Sequence, residues 1–392
     1  MNRISEGPRS GRCAPLSSEG RRKMGSGMSF AGPFVLVVAL GSFGSSAASS
    51  SDHPTGELRQ GPADLLAASP GRSTSRNEGP GAQERGSTLL FTIPEHDFYP
   101  ENIAYDPESG DYFLGSMGQS RIIRIRPDGS YEDFVSGLEP TLQTSVGMKV
   151  DPQRRRLWVC TGRYTLFGGA TDGPSQTGVL LFDLDTGALV RSWLMDQPGP
   201  AYIFNDLALA SNGDAYVSTT LLGKIVRISP DSDEMEPLLV SPETQTNGIT
   251  LDPTERYLFF TLGRSISRLD LESGDLTEIP IPGEAGVGTD GMYFVDRSLV
   301  VVKPRLTQIS RLFLNESLDA VERVEVLAEG DPAFDYPTTG VVVGGHLVFV
   351  ATSFADVPRN TESPLQHSDV LIYRVPIQAG PTPTRRALRS RF

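Results

Sequence analysis

Apolar residues in this chain alternate with polar ones in runs of four to six, without helical spacing. Asp206-Leu-Ala-Leu-Ala and Ala215-Tyr-Val-Ser-Thr flank Asn212-Gly213, and Gly223-Lys-Ile-Val-Arg-Ile228 follows before the turn at Ser229-Pro-Asp. Short alternating runs joined by such dipeptides predict antiparallel strands and hairpin turns. The same rhythm returns in Tyr257-Leu-Phe-Phe-Thr261 and Ser265-Ile-Ser-Arg-Leu-Asp270. It is also present upstream, in Asp111-Tyr-Phe-Leu-Gly and Arg121-Ile-Ile-Arg-Ile125, which turns at Pro127-Asp128-Gly129. This spacing leaves no room for sizeable helices, and 41 glycines and 30 prolines suit the many turns it requires.

The rhythm is itself repeated. Asn247-Gly248-Ile-Thr-Leu-Asp252-Pro253 is echoed by Glu101-Asn-Ile-Ala-Tyr-Asp106-Pro107 and Val146-Gly-Met-Lys-Val-Asp151-Pro152. Asn205-Asp206-Leu-Ala-Leu, Asp290-Gly291-Met-Tyr-Phe and Thr339-Gly340-Val-Val-Val are looser copies, so successive copies start 45, 59, 42, 43 and 49 residues apart. A unit of roughly 40–50 residues made of short strands is the mark of a β-propeller blade. The expected fold is therefore all-β, a six-bladed β-propeller over residues 88–378. Thr88-Leu-Leu-Phe-Thr-Ile93 is expected to pair beside Val370-Leu-Ile-Tyr-Arg-Val375, because a blade shared by both ends of the domain removes a free sheet edge. The second unit is the long one, carrying an insertion over residues 163–178 that predicts a loop at one mouth of the ring.

Outside the repeats the composition changes. Arg21-Arg22-Lys23, the apolar run Phe30 to Leu40 and the small residues through Ala48 have the three parts of a secretory signal peptide. Residues 1–48 are assigned to that signal, with surplus residues before an internal start at Met24 or Met28, and an uncleaved anchor is the alternative. Residues 49–87 are poor in large apolar groups and read as a disordered linker, and residues 379–392 as a disordered basic tail. Secretion or export to a periplasm is the expected destination, with no stable membrane association once the signal is removed.

Net charge is −13, and the first 48 residues hold six Arg/Lys against two Asp/Glu, which leaves the remainder at −17. So acidic a body repels phosphate backbones and excludes nucleic acid as a partner, but it is compatible with binding a cation. Of the two cysteines, Cys13 is lost with the signal, and Cys160 within Leu157-Trp-Val-Cys160 is expected to be a small apolar side chain.

Candidate chemistry follows from the repeat. The innermost strand of each blade runs along the central channel, so equivalent residues ring one axis. The first positions are Glu101, Val146, Asn205, Asn247, Asp290 and Thr339, and four of them carry carboxylate or amide oxygens. Asn-Gly and Asp-Gly are also common turn dipeptides, but independent turns have no reason to share a register. Hard cations such as Ca2+ take about six to eight oxygen ligands, so Glu101, Asn205, Asn247 and Asp290 with water would suit Ca2+ or another divalent ion.

Glu101, Phe204-Asn205-Asp206, Thr246-Asn247-Gly248 and Thr289-Asp290-Gly291-Met292 resemble the four calcium-ligand motifs of the gluconolactonase, regucalcin and luciferin-regenerating-enzyme family, over about residues 95–376. The resemblance implies a six-bladed propeller with one divalent ion, held by Glu101, Asn247 and Asp290, with Asn205 at the metal or the substrate. It also implies lactone hydrolysis. Paraoxonases are more distantly similar, through Asn205-Asp206 and Asn247-Gly248. Strictosidine-synthase-like propellers share the type of the first motif.

Two departures bear on the substrate. Sugar lactonases of the family have an arginine two residues before the asparagine of the third motif, where this chain has Ile203, and no histidine pair matches that of paraoxonases. With Tyr164 and Phe167 of the insertion, Ile203 suggests a hydrophobic lactone. The expected protein is thus a Ca2+-dependent hydrolase of a small lactone or related ester, a monomer or weak oligomer. Asp290 or Asp206 takes the proton from the attacking water. The alternative is a non-catalytic propeller whose metal stabilises the ring and which binds a ligand or partner protein.

Overall fold

The computed structural model describes residues 86–138, 141–163, 175–197, 203–221, 223–241, 244–283, 288–353 and 369–377, together with Leu36–Val37. Tyr164, Phe167, residues 49–85 of the expected linker and the expected signal and tail lie outside the described residues, apart from a parallel pairing of Leu36–Val37 with Leu239 and Val240.

Six antiparallel sheets form the blades of a β-propeller. Blades I to V run in chain order from strands Pro100–Tyr105, Met148–Asp151, Phe204–Leu209, Thr246–Leu251 and Met292–Val295, each the innermost of its sheet. Blade VI consists of Gly340–Val343, His346–Val350 and Val370–Pro376, and its outermost strand is Thr88–Ile93 from the start of the domain. The pairing runs from Thr88 against Arg374 to Ile93 against Val370, so the ring is closed by both ends as the sequence predicts.

The alternation of side chains explains the packing. In Ser298–Lys303, Leu299 and Val301 face blade IV, while Val300 and Val302 face blade VI. Both faces of every blade are covered in this way, and six apolar clusters fill the six interfaces. Cys160, fully buried, belongs to the cluster between blades II and III, and burial pushes its thiol up. Among the described residues there is no α-helix; the one helical turn is the 3-10 segment Pro304–Leu306.

Hydroxyl side chains join the blades near the axis. Thr246 Oγ1 accepts from Thr219 N–H and donates to Thr219 C=O, both at 2.8 Å, joining blades IV and III. Thr177 Oγ1 accepts from Phe204 N–H at 3.1 Å, joining II to III. Thr338 and Thr339 both donate to the Glu101 carbonyl, at 2.8 and 2.7 Å, joining VI to I. The backbone of the first motif is therefore held from the far end of the chain.

Candidate functional site

The local structure that presents three of the first positions, Glu101, Asn205 and Asn247, is a slip in strand register. Pairing of the innermost strand shifts between Pro100 and Ile103, between Phe204 and Leu207, and between Thr246 and Ile249. The residues skipped are Glu101-Asn102, Asn205-Asp206 and Asn247-Gly248. A β-bulge leaves its extra residue out of the ladder and re-aims the side chain. The glycines at the second position serve close approach, not turns. A Cβ on Gly248 would overlap the Asp290 carbonyl, and one on Gly147 would overlap that of Asn205, so neighbouring inner strands could not come together.

These features gather Glu101, Asp206 and Asp290. Burial pushes the Glu101 carboxyl well up, and the charges of Asp290 and Asp206 push it further. Asp290 is raised to about 7 by burial and by Asp206, partly opposed by a hydrogen bond from Asn247. Glu101 is 5% exposed, Asp206 1% and Asp290 8%, so water cannot disperse their mutual repulsion.

Four buried oxygens here have no hydrogen-bond partner among the described residues: Glu101 Oε2, Asp206 Oδ2, Asn247 Oδ1 and Asp290 Oδ1. An unsatisfied buried oxygen costs roughly 1–3 kcal/mol, more if charged. A set of anionic and amide oxygens that repel one another and lack donors fits a hard cation. Among the described residues no three His, Cys, Asp or Glu side chains could hold a metal on their own, so such a cation depends on the amides too. Asn205, 8% exposed, has its amide turned by donation to Thr220 Oγ1 at 2.7 Å.

Asp206 differs from its neighbours. Its Oδ1 accepts from Lys149 Nζ at 3.1 Å and from Leu207 N–H at 2.8 Å. Lys149 also lies 5.8 Å from the centre of the Tyr293 ring. Tyr293 is buried, its hydroxyl raised by burial and by Asp206, Asp290 and Glu101. Lys149 and Tyr293 escaped the sequence analysis, although both occupy the fourth position of their repeats, where the copies in blades I and III have Ala104 and Ala208.

A cavity of about 160 Å3 opens beside the cluster, lined by Asn247 and Asp290 and, on blades V and VI, by Pro304, Arg305 and Tyr336. Ile203 does not join it. Its side chain, 2% exposed, packs in the cluster between blades II and III with Trp158 and Trp193.

No protein-family model and no curated protein matches the sequence. Solved structures match in shape. A protein of Thermus thermophilus described as a putative oxidoreductase (glucose dehydrogenase) has a TM-score of 0.52 at 17% identity, covering 74% of this chain and 100% of that one. Virginiamycin B lyase from Staphylococcus aureus gives 0.49 at 16% identity, covering 75% and 99%. A gluconolactonase from Xanthomonas campestris gives 0.49 at 13%, again covering 75% and 99%. At these identities the likeness is one of fold, and the activities named for the three proteins differ.

Proposed function

We propose that this propeller is a Ca2+-dependent hydrolase of a small lactone or related ester, working at the axis in an exported protein. The observation that carries the reading is the set of unpartnered buried oxygens on Glu101, Asn247 and Asp290, at the positions where the sequence resembles the calcium motifs of the gluconolactonase family. Glu101, Asn247 and Asp290 would hold the ion, with Asn205 alongside. When bound, a divalent cation polarises an ester carbonyl and stabilises the negative charge that develops on attack.

The chain's own residues supply the rest. Asp290 lines the cavity next to Asn247, whose side chain favours its charged form. It is the group placed to take the proton from the attacking water. Asp206 is less suited to that task, since Lys149 and the Leu207 amide already occupy one of its oxygens. Its role is to hold Lys149 under the site. The bulges of blades I and IV fix the Glu101 and Asn247 oxygens before any ligand arrives, so little reorganisation accompanies binding.

Elemental analysis of purified protein and a panel of aliphatic and aromatic lactones, with and without chelator, test the proposal together. One Ca2+ per chain and chelator-sensitive turnover are expected. Bound calcium without turnover of any ester would leave a binding propeller instead, and absence of any bound divalent ion would remove the site.

A further inference from the structure

The cavity is lined by one carboxylate of the acidic cluster, Asp290, and by one base, Arg305. Glu101, Asp206 and Asp290 cluster at the axis, and the cation among the cavity's lining residues is Arg305, contributed by blade V. Its placement is built into the hairpin between Ser298–Lys303 and Gln308–Leu314. The tip is the 3-10 turn Pro304–Leu306, with proline at its first position. It is closed by Thr307 in the left-handed region (φ 45°, ψ 45°), whose N–H reaches the Pro304 carbonyl at 3.0 Å. Below it, Lys303 Nζ donates to Gln308 Oε1 at 3.0 Å and Ser310 Oγ at 3.2 Å. A turn fixed at both ends loses little further entropy when its side chain is used.

Arg305 also differs from the arginines that are spent on ion pairs. Arg121, Arg155, Arg227 and Arg256 each hold carboxylates. Arg305 joins none of the ion pairs found among the described residues, and its side chain lies beside Tyr336 in the cavity lining. Tyr336 holds a left-handed backbone (φ 59°), a conformation that costs on the order of 1 kcal/mol for a bulky residue. A guanidinium has five donors in a planar fork, and a phenol leaves most of them available.

We propose that Arg305, oriented by Tyr336, anchors an anion at the cavity mouth, so that the substrate is a lactone or ester bearing a carboxylate away from the bond that is cut. This rests on the hydrolase reading and departs from the hydrophobic lactone expected from Ile203, Tyr164 and Phe167. The planar fork pairs with a carboxylate through two parallel hydrogen bonds.

The test uses two γ-lactones that differ in one group, a carboxylate or a carboxamide on the ring carbon next to the ring oxygen. In Arg305→Ala, KM for the carboxylate lactone should rise by about 30-fold, at least tenfold more than for the carboxamide, with Arg305→Lys recovering part of the loss. Equal losses on both lactones, or none, would overturn the assignment. Calorimetric titration with the ring-opened acid, hydroxyglutarate, reads the anchor without turnover. Binding to the wild-type protein that weakens about tenfold or more in Arg305→Ala, at unchanged metal content, supports it even if no lactone is hydrolysed. Equal binding by the two proteins, or binding by neither, overturns it.

Discussion

The two ends of the innermost strands carry the same kinds of side chain in opposite states. Asp106, Asp151 and Asp252 close the repeats that Glu101, Val146 and Asn247 open. Asp106 accepts from Glu108 N–H at 3.0 Å, Ser109 Oγ at 2.9 Å and Arg155 Nη1 at 2.8 Å. Asp252 accepts from Thr254 Oγ1 at 2.6 Å and Tyr257 N–H at 2.7 Å, and Asp151 from Arg154 Nη1 at 3.0 Å. At the other end, one side-chain oxygen each of Glu101, Asn247 and Asp290 meets no donor among the described residues. Burial acts on both ends, yet Asp106 lies below the ordinary carboxylate value, because the Glu108 amide, Arg155 and Ser109 outweigh its burial. Glu101 and Asp290 lie above theirs. Satisfied carboxylates stabilise the fold; frustrated ones are retained where a ligand can satisfy them.

The most severe way to break the contrast is Asp290→Ala. Turnover of any lactone substrate should fall by about a thousandfold or more, and the bound ion should be lost. The metal-free variant should unfold no more readily than metal-free wild type, because it has lost a repelling charge. A variant that unfolds more readily when metal-free would place Asp290 among the structural carboxylates.

Asp106→Asn should do the reverse. Removing the charge of Asp106 from its partly buried, hydrogen-bonded pair with Arg155 should cost about 2 kcal/mol in denaturant unfolding, with metal content and turnover kept. The native pKa of Asp106 is lowered, so its stabilisation is complete above the ordinary value of 3.8 and disappears as pH falls through the lower native one. Wild type should therefore lose stability in acid more steeply than the variant. Parallel curves would show that the pair contributes nothing.

How far this contrast is legible in the sequence depends on what the repeat encodes. Blade number, ring closure and the first positions are properties of spacing, and spacing is visible in one dimension. Asn247-Gly248 illustrates the limit. As a dipeptide it has the form of a turn, but here it lies inside a strand, its glycine serving the approach of the next blade. Ile203 shows another limit: just ahead of the strand Phe204–Leu209, its side chain packs with that of Phe204 in the core between blades II and III, which a substitution pattern at one position does not reveal. Arg305 and Tyr336 occupy no repeated position, and they meet only because blades V and VI are neighbours at the rim. Lys149 had a signal, a charge on a strand that should be apolar, and only its pairing with Asp206 across blades gives that charge a meaning.

Lys303 sharpens the comparison with the smallest effect, because it belongs to neither class. It is 2% exposed and hydrogen-bonded to Gln308 and Ser310, so its donors are used, but both partners are neutral. Burial pulls its pKa from 10.5 down to about 8. Below the native value both states are protonated, and the folded one bears the full cost of a buried charge. Between about 8 and 10.5 the unfolded chain binds more protons, so stability rises with pH. Lys303→Met removes that cost along with two hydrogen bonds, and the balance should favour the variant by about 1 kcal/mol near neutral pH. Urea unfolding at several pH values between about 7 and 10 is the measurement: the rise in stability across the alkaline limb should flatten in the variant, and a slope equal to that of wild type would mean that Lys303 reaches solvent. If it flattens, hydrogen bonds alone do not make a buried group structural; a compensating charge is needed as well, and that is what Asp106 has and the axis lacks.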